Sequence, residues 1–450
     1  MRFVFCLLPA ALALPGLAQA NELMRAYDLA VQNDATYRAA QFQRDASIEA
    51  KPQARALLLP QLSASYNYGY VDTTGSVEQP EINPDTGEVT NVTREIANYG
   101  TDETLSVTLN QSIFSLENWR RLQQADSQVA LAEAVLRSES QNLTLRTAEA
   151  YFGVLSALDT LRSSQAEKAA VERQLEQAKR RFDVGLSAIT DVQEAQARYD
   201  LTVATELEAQ QALSFAREAL SEITKSPADR VALLREEIPL PAPNPNSAED
   251  WVAAAQEGNL NLMIAQLNLD VAAREVQVAK AVHLPTLGAQ GSYQDNTSES
   301  GSFPQDTQSS AAFVGVTLPI FSGGATQSRV RQAIATREQR DSQREAQARA
   351  VERNARNAYQ AVITGASRVN ALNQAVKSSA TALEASETGL EVGTRTAVDV
   401  LNAQQQFYVA QRNYFQSRYD YLLNVLRLKA VAGRLGSADL AEVDKLLVEG

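Results

Sequence analysis

The chain has one histidine, His283, and one cysteine, Cys6, so the side chains that most often act as nucleophile, general base or soft metal ligand near neutral pH are almost missing. His283 stands before Leu284-Pro285, with no second histidine to share a metal, and reads as a structural residue at a junction between elements. No Walker motif, phosphate-cradling glycine loop or nucleophile–base constellation occurs. These residues predict no enzymatic chemistry, no ATP consumption, no cofactor and no metal site. Carboxylates are abundant, but on long helices they usually form solvated faces. What remains is the chemistry of fixed charge, and Asp191, Arg395 and Asp399 all fall inside a phrase that the chain uses twice.

That phrase is "DVGLSAITDVQEAQAR" at 183–198 and "EVGTRTAVDVLNAQQQ" at 391–406. Aligned, Val184, Gly185, Asp191, Val192, Ala195 and Gln196 fall on Val392, Gly393, Asp399, Val400, Ala403 and Gln404. Gly185 and Gly393 follow long helix-compatible runs, where a glycine closes a helix end in the left-handed conformation. A new helix is expected a few residues on. Thr396 and Asp399 have the spacing of an N-cap residue with an acid at N3, and Thr190 with Gln193 reads as a capping box. Asp191 and Asp399, as first-turn acids, also complement the helix dipole. Each phrase is expected to be a helix–turn–helix tip.

The elements that carry the tips are duplicated too. Ala150-Tyr151 matches Ala358-Tyr359, "QSIFS" (111–115) matches "LPIFS" (318–322), and "ARALLLPQL" (54–62) matches "AKAVHLPTL" (279–287). Pro60 and Pro285 mark the change from helix to strand, because the residue before a proline is biased out of the helical region. Each copy then carries a β-hairpin with strands of about ten residues, enough to cross a bilayer when tilted. In the first copy Leu62, Ala64, Tyr66, Tyr68 and Tyr70 share one face, as do Leu105, Val107 and Leu109; in the second, Ala312, Val314, Val316, Leu318 and Ile320 do so. The three tyrosines are either an interfacial aromatic girdle or simply strand formers. Turn-rich stretches at 71–103 and 294–310 are expected as connecting loops. After the hairpins come proline-free helical runs at 116–181 and 324–390, each on the order of 100 Å long at 1.5 Å per residue. Their apolar stripes step by three and four residues and need partner helices.

The domain reading follows. Residues 1–20 are a secretory signal peptide, with an apolar run and small residues at Ala18 and Ala20. Cys6 lies inside it. Residues 21–235 form repeat 1, with a hairpin at about 61–113 and long helices at about 116–224. Residues 236–250, rich in proline, form an extended linker. Residues 251–435 form repeat 2, with a hairpin at about 286–321 and long helices at about 324–433. Residues 436–450 are a C-terminal tail. Beyond residue 20 no run approaches the ~18 to 20 apolar residues of a transmembrane helix, so any membrane crossing must be a β-barrel. The 41 Lys and Arg against 54 Asp and Glu argue against a nucleic-acid partner.

The signal peptide, the duplicated helix–hairpin–helix units, and "VGLSAITDVQEAQ" with "VGTRTAVDVLNAQ" resemble the TolC family of outer-membrane efflux proteins, over essentially the whole mature chain. The resemblance implies a mixed architecture: two structural repeats per chain, a homotrimer, a twelve-stranded transmembrane β-barrel in outer-membrane lipid, and an all-α coiled-coil tunnel (an α-helical barrel) in the periplasm. It implies partners as well, a periplasmic adaptor of the membrane-fusion class and an inner-membrane transporter. Arg395 would tie the inner helical hairpin to its neighbour, with Asp191 and Thr190 as the acceptor side. Asp399 and Asn402 would lie at the pore constriction, and the turns at Gly185, Leu186, Gly393 and Thr394 would dock the adaptor. Asn402 and Leu390 depart from the family pattern, which often has an aspartate and a tyrosine there. The acidic constriction is then one ring instead of two. Three copies of Asp399 around an axis would resist simultaneous ionisation and favour cations.

The function expected is a passive exit duct for drugs or secreted polypeptides, serving tripartite efflux or type I secretion and gated at the tips. The alternative is a periplasmic coiled-coil structural or adaptor protein without a pore.

Overall fold

The computed structural model describes residues 22–228, 231–300 and 304–448. The signal-peptide residues 1–20 lie outside the described residues. In chain order the elements are α1 (Glu22–Asn33), α2 (Ala35–Ile48), α3 (Ala50–Ala56), β1 (Gln61–Ile82), β2 (Val89–Phe114), α4 (Leu116–Asp183), α5 (Ile189–Thr224), β3 (Leu233–Leu234), α6 (Ala248–Gly258), α7 (Leu260–Ala281), β4 (Thr286–Ser298), β5 (Gln305–Thr317), α8 (Ala325–Glu391), α9 (Ala397–Val431), α10 (Ser437–Asp444) and β6 (Leu447–Val448). The chain divides into two compact units, one holding the four-stranded sheet (45–132 and 266–343) and one mainly helical (22–44, 133–265 and 344–448).

In the sheet unit the strand order is β1-β2-β4-β5, antiparallel throughout. The register sorts the side chains by polarity, since directly opposed residues share a face. Leu62 opposes Leu109, Tyr66 opposes Leu105, Val107 opposes Tyr293, and Ala289 opposes Val314, so one face is apolar across all four strands. On the other face Ser65 opposes Ser106 and Thr104 opposes Asn296, with hydroxyl contacts of 2.7 Å in both pairs. This is the alternation of a barrel wall with lipid on one side and water on the other. Leu62, Tyr66, Tyr68, Val314 and Val316 are all more than half exposed in the single chain.

Two expectations about this sheet are corrected. The first hairpin does not end after about ten residues: β1 has 22 residues and β2 has 26, and pairing runs unbroken from Gln61–Asn110 to Ile82–Val89. The expected loop at 71–103 is therefore mostly ribbon, because β-branched residues recur through it (Val77, Val89, Thr90, Val92, Thr93, Ile96). The reversal is confined to 83–88. There the Asn83 side chain accepts from the Asp85 N–H at 3.0 Å, Gly87 takes φ +72, and Asn83 N–H donates to Glu88 O at 2.9 Å. The second correction is that β5 stops at Thr317, so Leu318 and Ile320 do not continue its face. Pro319 has no N–H to give to a ladder.

In the helical unit a core gathers around Tyr151, Phe152 and Leu155 of α4, Leu23 of α1, Trp251 of α6 and Tyr419, Leu422 and Leu426 of α9. Phe152 and Tyr419 have ring centroids 5.9 Å apart. The proline-rich segment after residue 235 is held by side chains: Tyr421 donates to Pro241 O at 2.8 Å and Trp251 Nε1 to Pro245 O at 2.7 Å. Residues 437–448 carry α10 and β6, and β6 pairs with β3. Asp444, 3% exposed, accepts a hydrogen bond from Leu23 N–H at 2.9 Å.

Along its length α9 is tied to α4 by polar contacts: Arg427–Glu149 at 2.7 Å, Tyr419–Asp159 at 2.6 Å, Gln411–Ser163 at 3.3 Å, Arg412–Glu167 at 2.7 Å, and the Tyr408 hydroxyl to Ala166 O at 3.2 Å. Among the described residues no helix is long and apolar enough to cross a membrane.

Candidate functional site

Both repeated phrases form short turns between long helices, closed in the same way. At the end of α4, Gly185 has φ +76; its N–H donates to Phe182 O at 2.9 Å, and Leu186 N–H donates to Arg181 O at 2.7 Å. At the end of α8, Gly393 has φ +78; its N–H donates to Leu390 O at 3.3 Å, and Thr394 N–H donates to Gly389 O at 2.8 Å. This double bond pattern satisfies the last carbonyls of a helix around a left-handed residue, which is why glycine stands at both positions. The closure leaves Val184, Leu186 and Val392 about 70% exposed (68%, 73% and 70%).

The helix starts that follow are not equivalent. In the second copy Thr396 is the N-cap: its hydroxyl accepts from Asp399 N–H at 3.2 Å, and Asp399 Oδ2 accepts from Thr396 N–H at 2.9 Å and from the Thr396 hydroxyl at 2.8 Å. These bonds, with a smaller contribution from the nearby Arg395 charge, hold the Asp399 carboxyl below the ordinary carboxylate range. In the first copy the expected capping box of Thr190 and Gln193 is absent. The N-cap is Ala188, which has no capping side chain. Turn closure at Gly185 fixes where α5 begins, so Thr190 lies inside the first turn and Asp191, bonded from its N–H to Ala188 O at 3.1 Å, has the N3 position without a hydroxyl partner.

Two residues that the sequence did not single out belong to this site. Gly389 is buried in the last turn of α8. The Arg395 side chain runs across it, and a β-carbon there would lie 2.6 Å from Arg395 Cγ and 3.3 Å from Thr394 Oγ1. The first copy has Arg181 and Ser187 at these places, and a lone helical glycine facing an arginine in only one copy was the available signal. The other residue is Arg198 of α5, whose Nη2 donates to Asn402 Oδ1 of α9 at 3.2 Å; nothing in its sequence context marks it. Among the described residues Arg395 and Asp191 form no ion pair with each other or with other groups.

An exposed apolar sheet face, two long hairpins of helices and two turns closed alike define a duplicated architecture. The model of the family described as "Outer membrane efflux protein" matches residues 26–224 and 251–434, one stretch for each copy. The chain belongs to this outer membrane efflux family. It is 36% identical over 447 residues to outer membrane protein TolC of Escherichia coli, covering 96% of this chain and 86% of that one. It is 35% identical over 431 residues to TolC of Vibrio cholerae, covering 94% and 93%. It is 30% identical to the alkaline protease secretion protein AprF of Pseudomonas aeruginosa, covering 95% and 88%. The solved CmeC outer membrane channel of Campylobacter jejuni matches with a TM-score of 0.74 at 17% identity, covering 94% of this chain and 89% of that chain, which is a likeness of fold.

This outer membrane efflux protein is a channel, not an enzyme, and acts as an exit duct in the outer membrane with its helical tunnel in the periplasm. The pore-less spacer expected as an alternative is thereby set aside. Channels of this type are trimers that work with adaptors and inner-membrane pumps.

Proposed function

We propose that this chain, as a homotrimer, is gated at its repeated turns, and that it receives cargo from an inner-membrane transporter through a periplasmic adaptor. Its relatives' names carry two services, efflux and the secretion of proteases, and we assign this chain efflux of small toxic molecules or type I secretion of polypeptides. Arg395 is the lock, reaching Asp191 and Thr190 of a neighbouring copy. Asp399 lines the constriction as a ring of three carboxylates. The turns at Gly185, Leu186, Gly393 and Thr394 present Val184, Leu186 and Val392 to the adaptor's helical hairpin.

The observation that carries this reading is the packing of Arg395 over Gly389. It fixes the base of the Arg395 side chain at the turn, and among the described residues no acceptor takes its guanidinium. A single exposed pair is worth under ~1 kcal/mol, so the lock draws its strength from repetition around the trimer. The test is single-channel conductance of the detergent-extracted trimer in a planar bilayer. Arg395→Ala and Asp191→Ala should each raise the basal conductance. Wild-type conductance in both variants overturns the lock, and cation selectivity unchanged in Asp399→Asn overturns the ring.

A further inference from the structure

The polar links that dock α9 on α4 stop before the tip. Arg412–Glu167 (2.7 Å, Glu167 only 6% exposed) and the Tyr408 hydroxyl to Ala166 O are the ones nearest to it. From Ala397 to Phe407, among the described residues, the one side-chain hydrogen bond from α9 to another helix is that of Asn402 with Arg198 of α5. Below this bond lies a small apolar cluster in which Leu401 of α9 meets Ala195 of α5 and Val171, Leu175 and Ala178 of α4. The cluster is five buried residues, against the long core near Tyr151. The first turns of α9 are therefore held by the packing of Ala397, Val400, Leu401 and Gln404 and by one charge-assisted bond to another helix.

We propose that Arg198 and Asn402 form an intrachain latch on the gate. The bond holds the start of α9 against α5 and must break for that segment to move separately. Arg412–Glu167 and Tyr408 form the pivot, beyond which α9 remains docked on α4. Asn402 then acts by holding a helix, its side-chain carbonyl being taken by Arg198. Arg198 is a positioning residue. This inference rests on the gate reading above, but concerns a contact within one chain where the Arg395 lock lies between chains.

The test uses the purified full-length channel in planar bilayers, reading the fraction of time spent in the larger-conductance state. Arg198→Ala and Asn402→Leu should each raise that fraction, by up to about fivefold, the range of an exposed charged pair. The double variant should add nothing to either single change, because both remove one interaction. Asn402→Asp keeps the acceptor and should stay at or below the wild-type value. In an Arg395→Ala background, Arg198→Cys with Asn402→Cys should return the channel to low occupancy on oxidation and release it on reduction. Wild-type occupancy in Arg198→Ala and Asn402→Leu alongside a raised Arg395→Ala overturns the latch and leaves the lock standing. A raised Arg198→Ala with an unchanged Arg395→Ala does the reverse. If Arg198→Ala does not assemble, Asn402→Leu and the cysteine pair decide: an oxidised pair that leaves the channel open overturns the proposal.

Discussion

Arg395 lies across Gly389, so that a β-carbon on Gly389 would come within 2.6 Å of Arg395 Cγ. Gly389→Ala therefore displaces the arginine without removing it. Alanine is better than glycine inside a helix by about 1 kcal/mol, so α8 itself should gain stability. The clash falls at Cγ and Cβ, the base of that side chain, and offsets this gain, so the expected result is basal conductance raised in the same direction as in Arg395→Ala, with thermal stability near wild type. Single-channel recording alongside a melting curve checks both halves.

Asp399 titrates below the ordinary carboxylate range because Thr396 donates to it twice. A depressed folded-state value means that the cap's contribution is present above the unfolded value near 4 and is lost as pH falls through the folded one. Thr396→Val keeps the backbone donor and removes the hydroxyl, so the carboxyl should protonate at a higher pH than in wild type. Reversal potentials across a salt gradient, measured from pH 7 downward, should show cation selectivity collapsing earlier in the variant. Amide exchange at 397–400 should also be faster.

Burial pushes the Asp159 carboxyl above its usual range, and the 2.6 Å hydrogen bond from the Tyr419 hydroxyl works against that shift. A raised carboxyl favours the folded state while protonated, and that advantage disappears as pH rises through the folded value. Tyr419→Phe removes the opposing bond and raises the value further. Stability should then decline more steeply between about pH 4 and pH 7 than in wild type, with a loss of about 2 kcal/mol at neutral pH. Urea unfolding of the detergent-solubilised protein at the two pH values reads the difference directly.

Gly87, at φ +72, closes the long β1–β2 ribbon. Valine there should cost about 1 to 2 kcal/mol of local strain, enough to loosen a two-stranded segment that is marginal by itself. Arg94 is the one Lys or Arg between residues 61 and 119 and is paired opposite Val77. Trypsin added to intact cells should cut at Arg94 several times faster in Gly87→Val than in wild type, and equal rates would refute the ribbon.

The two tips were legible because their determinants are local: a glycine with positive φ, and a threonine three residues before an acid. The sheet's two faces were legible through strict alternation at Leu62 to Tyr70 and at Ala312 to Val316. The long ribbon was not, because Gly75, Pro80, Pro84 and Gly100 are turn formers by residue type, while the pairing of Val77, Val92 and Ile96 depends on where the single reversal at 83–88 sets the register. Thr190 fits a capping box by its spacing to Gln193, but the turn closure at Gly185, a property of three-dimensional hydrogen bonding, starts the helix two residues earlier, with Ala188 as N-cap. Arg198 and Gly389 gain their meaning only from what faces them. Short α10 and β6 lack the length for a periodic signal, and their place depends on contacts with residues far away in sequence.

Those last contacts impose an order of events on biogenesis. The opening N–H groups of α1 are met by Asp444, 421 positions away, and β3 pairs with β6. A chain that crosses the inner membrane N-terminus first must keep its first helix waiting until its final residues arrive. A polypeptide stalled or clipped before residue 444 lacks the carboxylate that meets the first turn of α1. Closure of the helical unit therefore waits on residues 437–448.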